Sequence, residues 1–290
     1  MARRISLIIN PVSGGAGKLD LARLEGIATE QGCQLDVLRT ESAGHATDLA
    51  REARQEGVDL VLAGGGDGTI NEVINGLAMT DTPLGIVPLG TVNVLARECG
   101  LPLDPESAFR AALERKPRSI SLGHIVAGGV ERYFSFVAGI GFDAHVVHGV
   151  STGLKRYIGK GAYIAKALTS LATWSPPALR VSVDGMEIEC QMLVASNGRD
   201  YGGDFVMAPE ADLTGPGLVF TLLTDMRPVA MLKFALAFGL GRHLSVKGVE
   251  ALTTHGATIN GLAHIQLDGD YFGVTPAVIS SFPGALRLVF

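Results

Sequence analysis

The sequence predicts an α/β domain with a parallel sheet over residues 1–120, followed by an all-β, antiparallel sandwich from residue 121 onward. Two observations carry this. In the first 120 residues, short apolar runs alternate with helical patterns at the spacing of parallel strand–helix units. Near residue 120 the rhythm changes to short, often alternating strands separated by glycine-rich turns, the pattern of a sandwich. Between the third strand and its helix lies the stretch that organises the chain, Leu62-Ala63-Gly64-Gly65-Gly66-Asp67-Gly68-Thr69-Ile70-Asn71-Glu72.

Residues 5–9 read as a first buried strand, stopped by Asn10-Pro11, and residues 18–29 as a helix carrying Leu19, Leu21, Leu24 and Ile27. A second strand spans 35–40, and a charged surface helix 46–57 shows Leu49, Ala50 and Ala53 on its apolar side. The apolar run 58–63 is a third strand. Ile70, Val73, Ile74 and Leu77 then recur at helical spacing, which predicts a helix starting near Thr69. A fourth strand at 84–87 leads to helices at 94–99 and 105–115. Beyond it, strands are expected at 120–126, 131–138, 179–183, 187–196, 218–223, 246–253, 257–259, 265–267 and 285–290. Helical inserts are expected at about 154–173 and 229–240. The first of these sets Lys155, Arg156, Lys160 and Lys166 beside Tyr157, Ile164, Leu168 and Leu171, a pattern that suits a solvated basic face or an anionic membrane surface.

Composition removes several function classes. At 290 residues the chain is long enough for a sizeable core, and 47% hydrophobic residues exclude disorder. A net charge of −5 without a basic cluster argues against nucleic-acid binding. Cys33, Cys99 and Cys190 are odd in number and lack CxxC spacing, as reduced thiols of a cytoplasmic protein would be. The N-terminus is too short in apolar residues for a signal peptide, and the greasy run 229–240 is too short to span a membrane.

A strand, a glycine turn and a helix N-terminus form an anion site, because the first-turn N–H groups and the positive end of the helix dipole face the turn. Glycines also permit positive φ and close approach of a ligand to the backbone. Asp67 puts a carboxylate where a phosphate would sit, which is sensible if Mg²⁺ lies between them; the plain alternative is a helix-capping Asp. The dinucleotide fingerprint fails because Asn71 stands at its third glycine, and the P-loop fails at Val12 and Leu19. The ends of the four strands (Asn10, Thr40, Gly64 and Gly90) are expected on one edge of the sheet, where ligands bind in such folds.

Asn10 with Ser13-Gly14-Gly15 is a polar loop or a simple turn, and Thr40 is a ligand contact or a helix cap. Pro88-Leu89-Gly90-Thr91-Val92-Asn93 places a hydroxyl and an amide on the same edge. Asp268-Gly269-Asp270 reads as a hairpin turn or as a pair of functional carboxylates. His145 and His148 have no third ligand in sequence, and Ser13 and Ser151 lack the setting of a hydrolase nucleophile.

The string Gly65-Gly66-Asp67-Gly68-Thr69-Ile70-Asn71-Glu72-Val73-Ile74-Asn75-Gly76-Leu77, with Asn10 to Gly14 before it and Pro88 to Asn93 after it, resembles the diacylglycerol kinase catalytic-domain family. That family includes soluble bacterial lipid kinases and the sphingosine and ceramide kinases. The similarity continues through Gly139-Ile140-Gly141-Phe142-Asp143, Asn197-Gly198, Gly202-Gly203, Pro209 and Asp268-Gly269-Asp270, so it covers nearly the whole chain. The resemblance implies a nucleotide domain of the phosphofructokinase/NAD-kinase type and a β-sandwich acceptor domain at 121–284, with the active site between them. It also implies that the last strand, about 285–290, returns to the first domain. It implies ATP contacts drawn from Asn10, Thr40, Gly64, Gly65, Gly66, Asp67, Gly68, Thr69, Asn71, Glu72, Gly90, Thr91 and Asn93. Asp67 would make the Mg²⁺–phosphate contact and Asp270 would accept the acceptor's proton, with Asp268 or Asp67 as competing bases.

Three positions depart from the family pattern. Its final Glu is Asp270 here, and the Asp usual after Asn93 is Val94. The Asp-Gly that helps hold a structural Mg²⁺ in bacterial relatives is Gly215-Pro216, leaving Asp212 as the nearby carboxylate. The expected function is ATP-dependent phosphorylation of a lipid hydroxyl at a membrane surface by a cytoplasmic enzyme, with a homodimer left open. The alternatives are an NAD-kinase-like phosphotransferase and a non-catalytic nucleotide or lipid sensor.

Overall fold

The computed structural model describes residues 2–149, 174–202 and 205–290. The basic helix expected at 154–173, Ser151 and Gly203 lie outside the described residues. The chain divides into two compact units: residues 1–122, 213–215 and 282–290, and residues 123–212 and 216–281.

In the first unit, β1 (Arg3–Ile9), β2 (Cys33–Arg39), β3 (Leu60–Gly65) and β4 (Leu84–Pro88) form a parallel sheet in the order β2-β1-β3-β4. Register is set by apolar residues on both faces, with Ile5 opposite both Leu35 and Leu60, and Val61 opposite Leu84. Ile5, Leu7 and Ile9 join Leu60 and Leu62 in a core with Leu24 and Ile27 of α1 (Leu21–Glu30) and Phe109 of α5 (Pro105–Glu114). The other face of the strands packs α2 (His45–Gln55) and α3 (Asp67–Leu77). This places helices on both faces of the sheet, so the inner strands β3 and β4 are apolar throughout and read as continuous runs, whereas the edge strand β2 carries Gln34, Asp36 and Arg39.

Two helix starts differ from the expected ones. Residues Ala16–Lys18 form a 3₁₀ turn, and α1 begins only at Leu21 because the Asp20 carboxylate accepts the Arg23 N–H at 3.0 Å. The helix expected near Thr69 starts at Asp67, with Gly66 as its cap. α4 (Val94–Glu98) is short and starts from Asn93, whose φ of 52° is left-handed.

The second unit is built on antiparallel strands. β14 (Val249–Thr254), β13 (Leu218–Leu223), β10 (Met192–Ser196), β7 (Val137–Ile140), β16 (His264–Leu267) and β17 (Asp270–Val274) form one sheet in that order. β18 (Ala277–Val289), β15 (Gly256–Asn260), β8 (Leu179–Val183) and β9 (Met186–Cys190) pair successively, and β5 (Pro117–Ala127) pairs with β6 (Val130–Phe134). Phe134, Leu193, Phe220, Ile259, Ile265 and Ile279 are central to its core. β18 begins against β15 (Ala277 opposite Ile259) and ends parallel to β4 (Leu288 opposite Leu84).

Several strand expectations are corrected. The strand expected at 131–138 breaks into β6 and β7, because the main-chain N–H groups of Ser135, Phe136 and Val137 turn to the Asp268 carboxylate. The strand expected at 187–196 breaks at Gln191, whose side-chain oxygen accepts from Met226 N–H at 2.7 Å. The final strand begins at Ala277 rather than at 285, and β17 and α6 (Phe142–Gly149) were not anticipated. The insert expected at 229–240 is α7 (Pro228–Gly239), started by Pro228 at its first turn.

Candidate active site

The first unit has its topological switch point between β1 and β3, since the chain runs outward from β1 to β2 and then returns to the other side of β1. Ligands in open α/β sheets bind outside the carboxyl ends of the strands at such a point. Here that edge is a knot of three loops. Asn10 N–H donates to Gly64 O at 2.9 Å, and Asn10 Nδ2 donates to Thr69 Oγ1 at 3.1 Å. Gly15 N–H donates to Leu89 O, and Leu89 N–H to Gly65 O, both at 2.9 Å. Thr40 N–H reaches Ile9 O at 2.9 Å, which sets the end of β2 beside Asn10.

The glycines act differently from the expectation. Gly64, Gly65, Gly66 and Gly68 are absent from the left-handed positions, and Gly66 is extended at φ −90°, ψ −175°. Their task is close approach within the protein. A Cβ on Gly65 would strike the Thr69 side chain, and one on Gly90 would lie 2.5 Å from Gly66 Cα and 2.8 Å from Asn93 Oδ1. The loop after β4 can therefore lie against the loop after β3 only with glycine at position 90, whereas a Cβ on Gly66 would meet Gly90 Cα at an ordinary 3.4 Å.

Asp67 holds the two loops together. Its Oδ1 accepts Val94 N–H at 2.7 Å and its Oδ2 accepts Asn93 N–H at 3.1 Å. The loop is closed further by Gly90 N–H to Asn93 Oδ1 (3.0 Å) and Asn93 Nδ2 to Gly90 O (2.9 Å). Val94, the departure from the family pattern, thus contributes its main chain. One carboxylate serves the first turns of α3 and α4, where negative charge is favoured.

Thr91 and Gly68 are exposed at this edge, Gly68 at the start of α3, but two of the expected contacts turn elsewhere. Asn71 is buried and accepts Asn75 Nδ2 through its main-chain oxygen (2.9 Å) and its side-chain oxygen (3.2 Å). Glu72 turns toward α2, where Oε2 accepts Ala46 N–H at 3.2 Å and its main-chain oxygen accepts Thr47 Oγ1 at 2.8 Å. Glu72 therefore caps α2, whose own cap residue Gly44 has no side chain to do so.

In the second unit, the late motif pieces converge. Asp268 and Gly269 have φ of 48° and 89° and form the two-residue turn joining β16 to β17. The Asp268 carboxylate accepts Ser135 N–H (2.8 Å), Ser135 Oγ (3.0 Å), Phe136 N–H (2.9 Å) and Val137 N–H (2.9 Å). Burial pushes its carboxyl above the usual range, opposed by the Ser135, Val137 and Phe136 N–H donors. Asn197 joins the same segment, its Nδ2 donating to Ser135 O at 2.9 Å. Asp270 follows the turn as an exposed carboxylate.

Sequence reasoning assigned no role to Asp143, yet its carboxylate is central to this unit. Oδ2 accepts Gln266 Nε2 (3.0 Å) and Tyr201 OH (3.1 Å), and Oδ1 accepts Ala144 N–H (2.7 Å). Burial raises its carboxyl above the usual range against the pull of Gln266, Ala144 and Tyr201. A Cβ at Gly139 would overlap this carboxylate, which gives that glycine its reason. The third imidazole missing beside His145 and His148 is His264, stacked on His148 at 4.5 Å and 5.8 Å from His145. Burial and the neighbouring His148 and His145 lower its basicity. Even so, no group of three or more His, Cys, Asp or Glu among the described residues is placed to hold a metal, and Asp212 is exposed. Burial pushes the Cys99 and Cys190 thiols up to about 12, so neither is a ready nucleophile.

The chain thus joins a parallel α/β domain, with a glycine-built loop knot at its switch point, to a β-sandwich domain. The family described as "Diacylglycerol kinase catalytic domain" matches residues 4–125, and "YegS C-terminal NAD kinase beta sandwich-like domain" matches residues 136–290. A diacylglycerol kinase of Mycobacterium tuberculosis is 31% identical over 99% of this chain and 94% of its own length. One from Bacillus subtilis is 30% identical over 94% of this chain and 92% of its own. The crystal structure of a diacylglycerol kinase from Bacillus anthracis str. Sterne has the same fold, with a TM-score of 0.78 at 22% identity, covering 99% of this chain and 97% of that one. The chain belongs to the diacylglycerol kinase catalytic-domain family of lipid kinases.

Proposed function

We propose that the protein is an ATP-dependent lipid kinase, transferring the γ-phosphoryl group to a hydroxyl of a diacylglycerol-like or sphingoid lipid. The observation that carries the reading is the loop knot at the β1/β3 switch point, with the first turn of α3 at its centre. The residues suit a nucleotide: Gly68 is exposed at the helix start, and Cβ atoms on Gly14 and Gly17 would meet nothing within 4 Å. Those last two glycines have neither a left-handed φ nor a packing neighbour to require them, and bare backbone suits a phosphate chain.

Asn10, Thr40, Thr69, Gly64 to Gly68, and the segment from Gly90 to Asn93 would line the nucleotide, and Asp67 would face the metal that accompanies it. Mg²⁺ there needs few protein ligands, because it keeps waters and takes phosphate oxygens; when bound, it supplies charge neutralisation for the transferred group. The chain's own part is positioning. Asp67 fixes the Gly90–Asn93 loop against the α3 start, and the first-turn N–H groups of α3 stabilise phosphate charge. As the bond from the γ-phosphorus to the bridging oxygen of ADP breaks, a bond forms from the lipid hydroxyl oxygen. Asp270 accepts the hydroxyl proton. Asp268, with its oxygens engaged by four donors, holds the turn that presents Asp270.

The test is transfer of labelled γ-phosphate from Mg-ATP to diacylglycerol, phosphatidylglycerol, sphingosine and ceramide in mixed micelles, with NAD alongside. Label in a lipid supports the reading and label only in NADP overturns it. Asp270→Asn should abolish turnover while ATP binding survives; lost ATP binding in that variant contradicts its role as base.

A further inference from the structure

α7 is apolar around its whole circumference, with Lys233 as its one charged residue, yet only Met231 is buried. Its inner side is accounted for: Phe234 and Phe238 pack edge-on against His243, and Phe238 stacks on Phe205. Its outer side is Val229, Leu232 and Leu236, continued by Leu240 just past its end, exposed by 68%, 56%, 63% and 74%. These positions follow helical spacing, so they form one stripe rather than scattered residues. A contiguous apolar stripe of this kind marks an interaction surface.

Charge identifies the partner. Residues 226–249 contain Arg227, Lys233, Arg242 and Lys247 and neither Asp nor Glu, within a chain of net charge −5, and Arg227 is paired with the Asp225 just before the segment at 2.6 Å. Lys233, Arg242 and Lys247 are exposed. Apolar side chains rimmed by cations complement the headgroup–acyl boundary of an anionic bilayer. At 12 residues the helix is far short of the roughly 20 needed to span, so it would lie in the interface plane.

We propose that the outer face of α7 is the surface by which this protein docks on anionic membranes. The four side chains Val229, Leu232, Leu236 and Leu240 enter the acyl boundary, and Lys233, Arg242 and Lys247 meet lipid phosphates. The identity of the partner rests on the lipid-kinase reading, but the test needs no catalysis.

Sucrose-loaded vesicles of phosphatidylcholine, with and without one quarter phosphatidylglycerol, are sedimented with the full chain. Leu232→Gln/Leu236→Gln, at exposed positions that tolerate Gln in a helix, is expected to lower partitioning at least ~10-fold. Lys233→Glu is expected to lower it ~5-fold or more on the anionic vesicles only. Circular dichroism melts of both variants should match the parent. Parent-like vesicle binding by the double variant overturns the proposal, as does no binding by the parent. A parent dimer that the double variant dissociates, seen by sedimentation equilibrium, also overturns it in favour of a second copy on this face. If vesicle binding behaves as expected and no lipid is ever labelled, the docking surface stands and the kinase reading fails.

Discussion

Replacing Asp67 by Ala separates a loop-holding carboxylate from one that serves only the ligand. The change removes both acceptors for Val94 N–H (2.7 Å) and Asn93 N–H (3.1 Å). Hydrogen bonds to charged groups are worth about 1.5–3 kcal/mol each. Because Asp67 is half-buried, water can take up part of the loss, so the low end applies to each bond and the total is about 3 kcal/mol. Local opening of the α4 start then becomes easier by roughly a hundredfold, at 1.4 kcal/mol per factor of ten. Native-state amide exchange reads this directly. Asn93 and Val94 should lose about two orders of magnitude of protection. Gly90 N–H, held by Asn93 Oδ1, should follow them, and Leu62 in the middle of β3 should not. Asp67→Asn keeps one acceptor oxygen and should lose about half as much in free energy, roughly tenfold in protection. If protection at Asn93 and Val94 is unchanged in Asp67→Ala while ATP binding collapses, the carboxylate acts on the ligand alone and the loop-lock argument is wrong.

Two further outcomes are expected. Gly90→Ala drives a Cβ into the Gly66 backbone, which cannot swing aside, and against Asn93 Oδ1. It should cost about 1–3 kcal/mol in thermal unfolding and weaken ATP binding, whereas Gly14→Ala, with open space at its Cβ, should leave the melting temperature unchanged. Asp143 has its carboxyl raised above 3.8 by burial, so the folded state holds this proton more tightly than the unfolded chain does. Its stabilising contribution is therefore full below 3.8 and lost as pH rises through the folded value. Asp143→Asn should flatten that fall in denaturant titrations across the acid range; an unchanged slope would show that Asp143 titrates normally.

Local pattern carries much of this protein. Apolar runs at 5–9, 58–63 and 84–87 are strands β1, β3 and β4 within a residue or two, because a sheet covered on both faces leaves no polar alternation to misread. Gly65-Gly66-Asp67-Gly68 is a strand-to-helix turn, and Asp268-Gly269 is a hairpin turn, as composition predicts. Boundaries failed where a distant side chain intervened. No periodicity within 131–138 announces that Asp268 will draw three consecutive N–H groups out of the ladder. The role of Glu72 was equally hidden, since the α2 terminus that it caps begins 27 residues before it in sequence.

The amino-acid sequence by itself determined the two fold classes, the switch-point glycine turn and the family, because these rest on periodicity, turn chemistry and short strings read within one element. Only the tertiary structure decided what the individual residues do. It used the glycines for close contact within the protein instead of for positive φ, and made Asp67 a bridge between two helix starts. It brought Asp143, Asn197, Gln266 and Asp268 into the hydrogen-bonded surroundings of one turn, and among the described residues left the outer face of α7 exposed. The reason is physical: a carboxylate takes its function from the donors around it, and those donors come from segments that the chain brings together only when it folds.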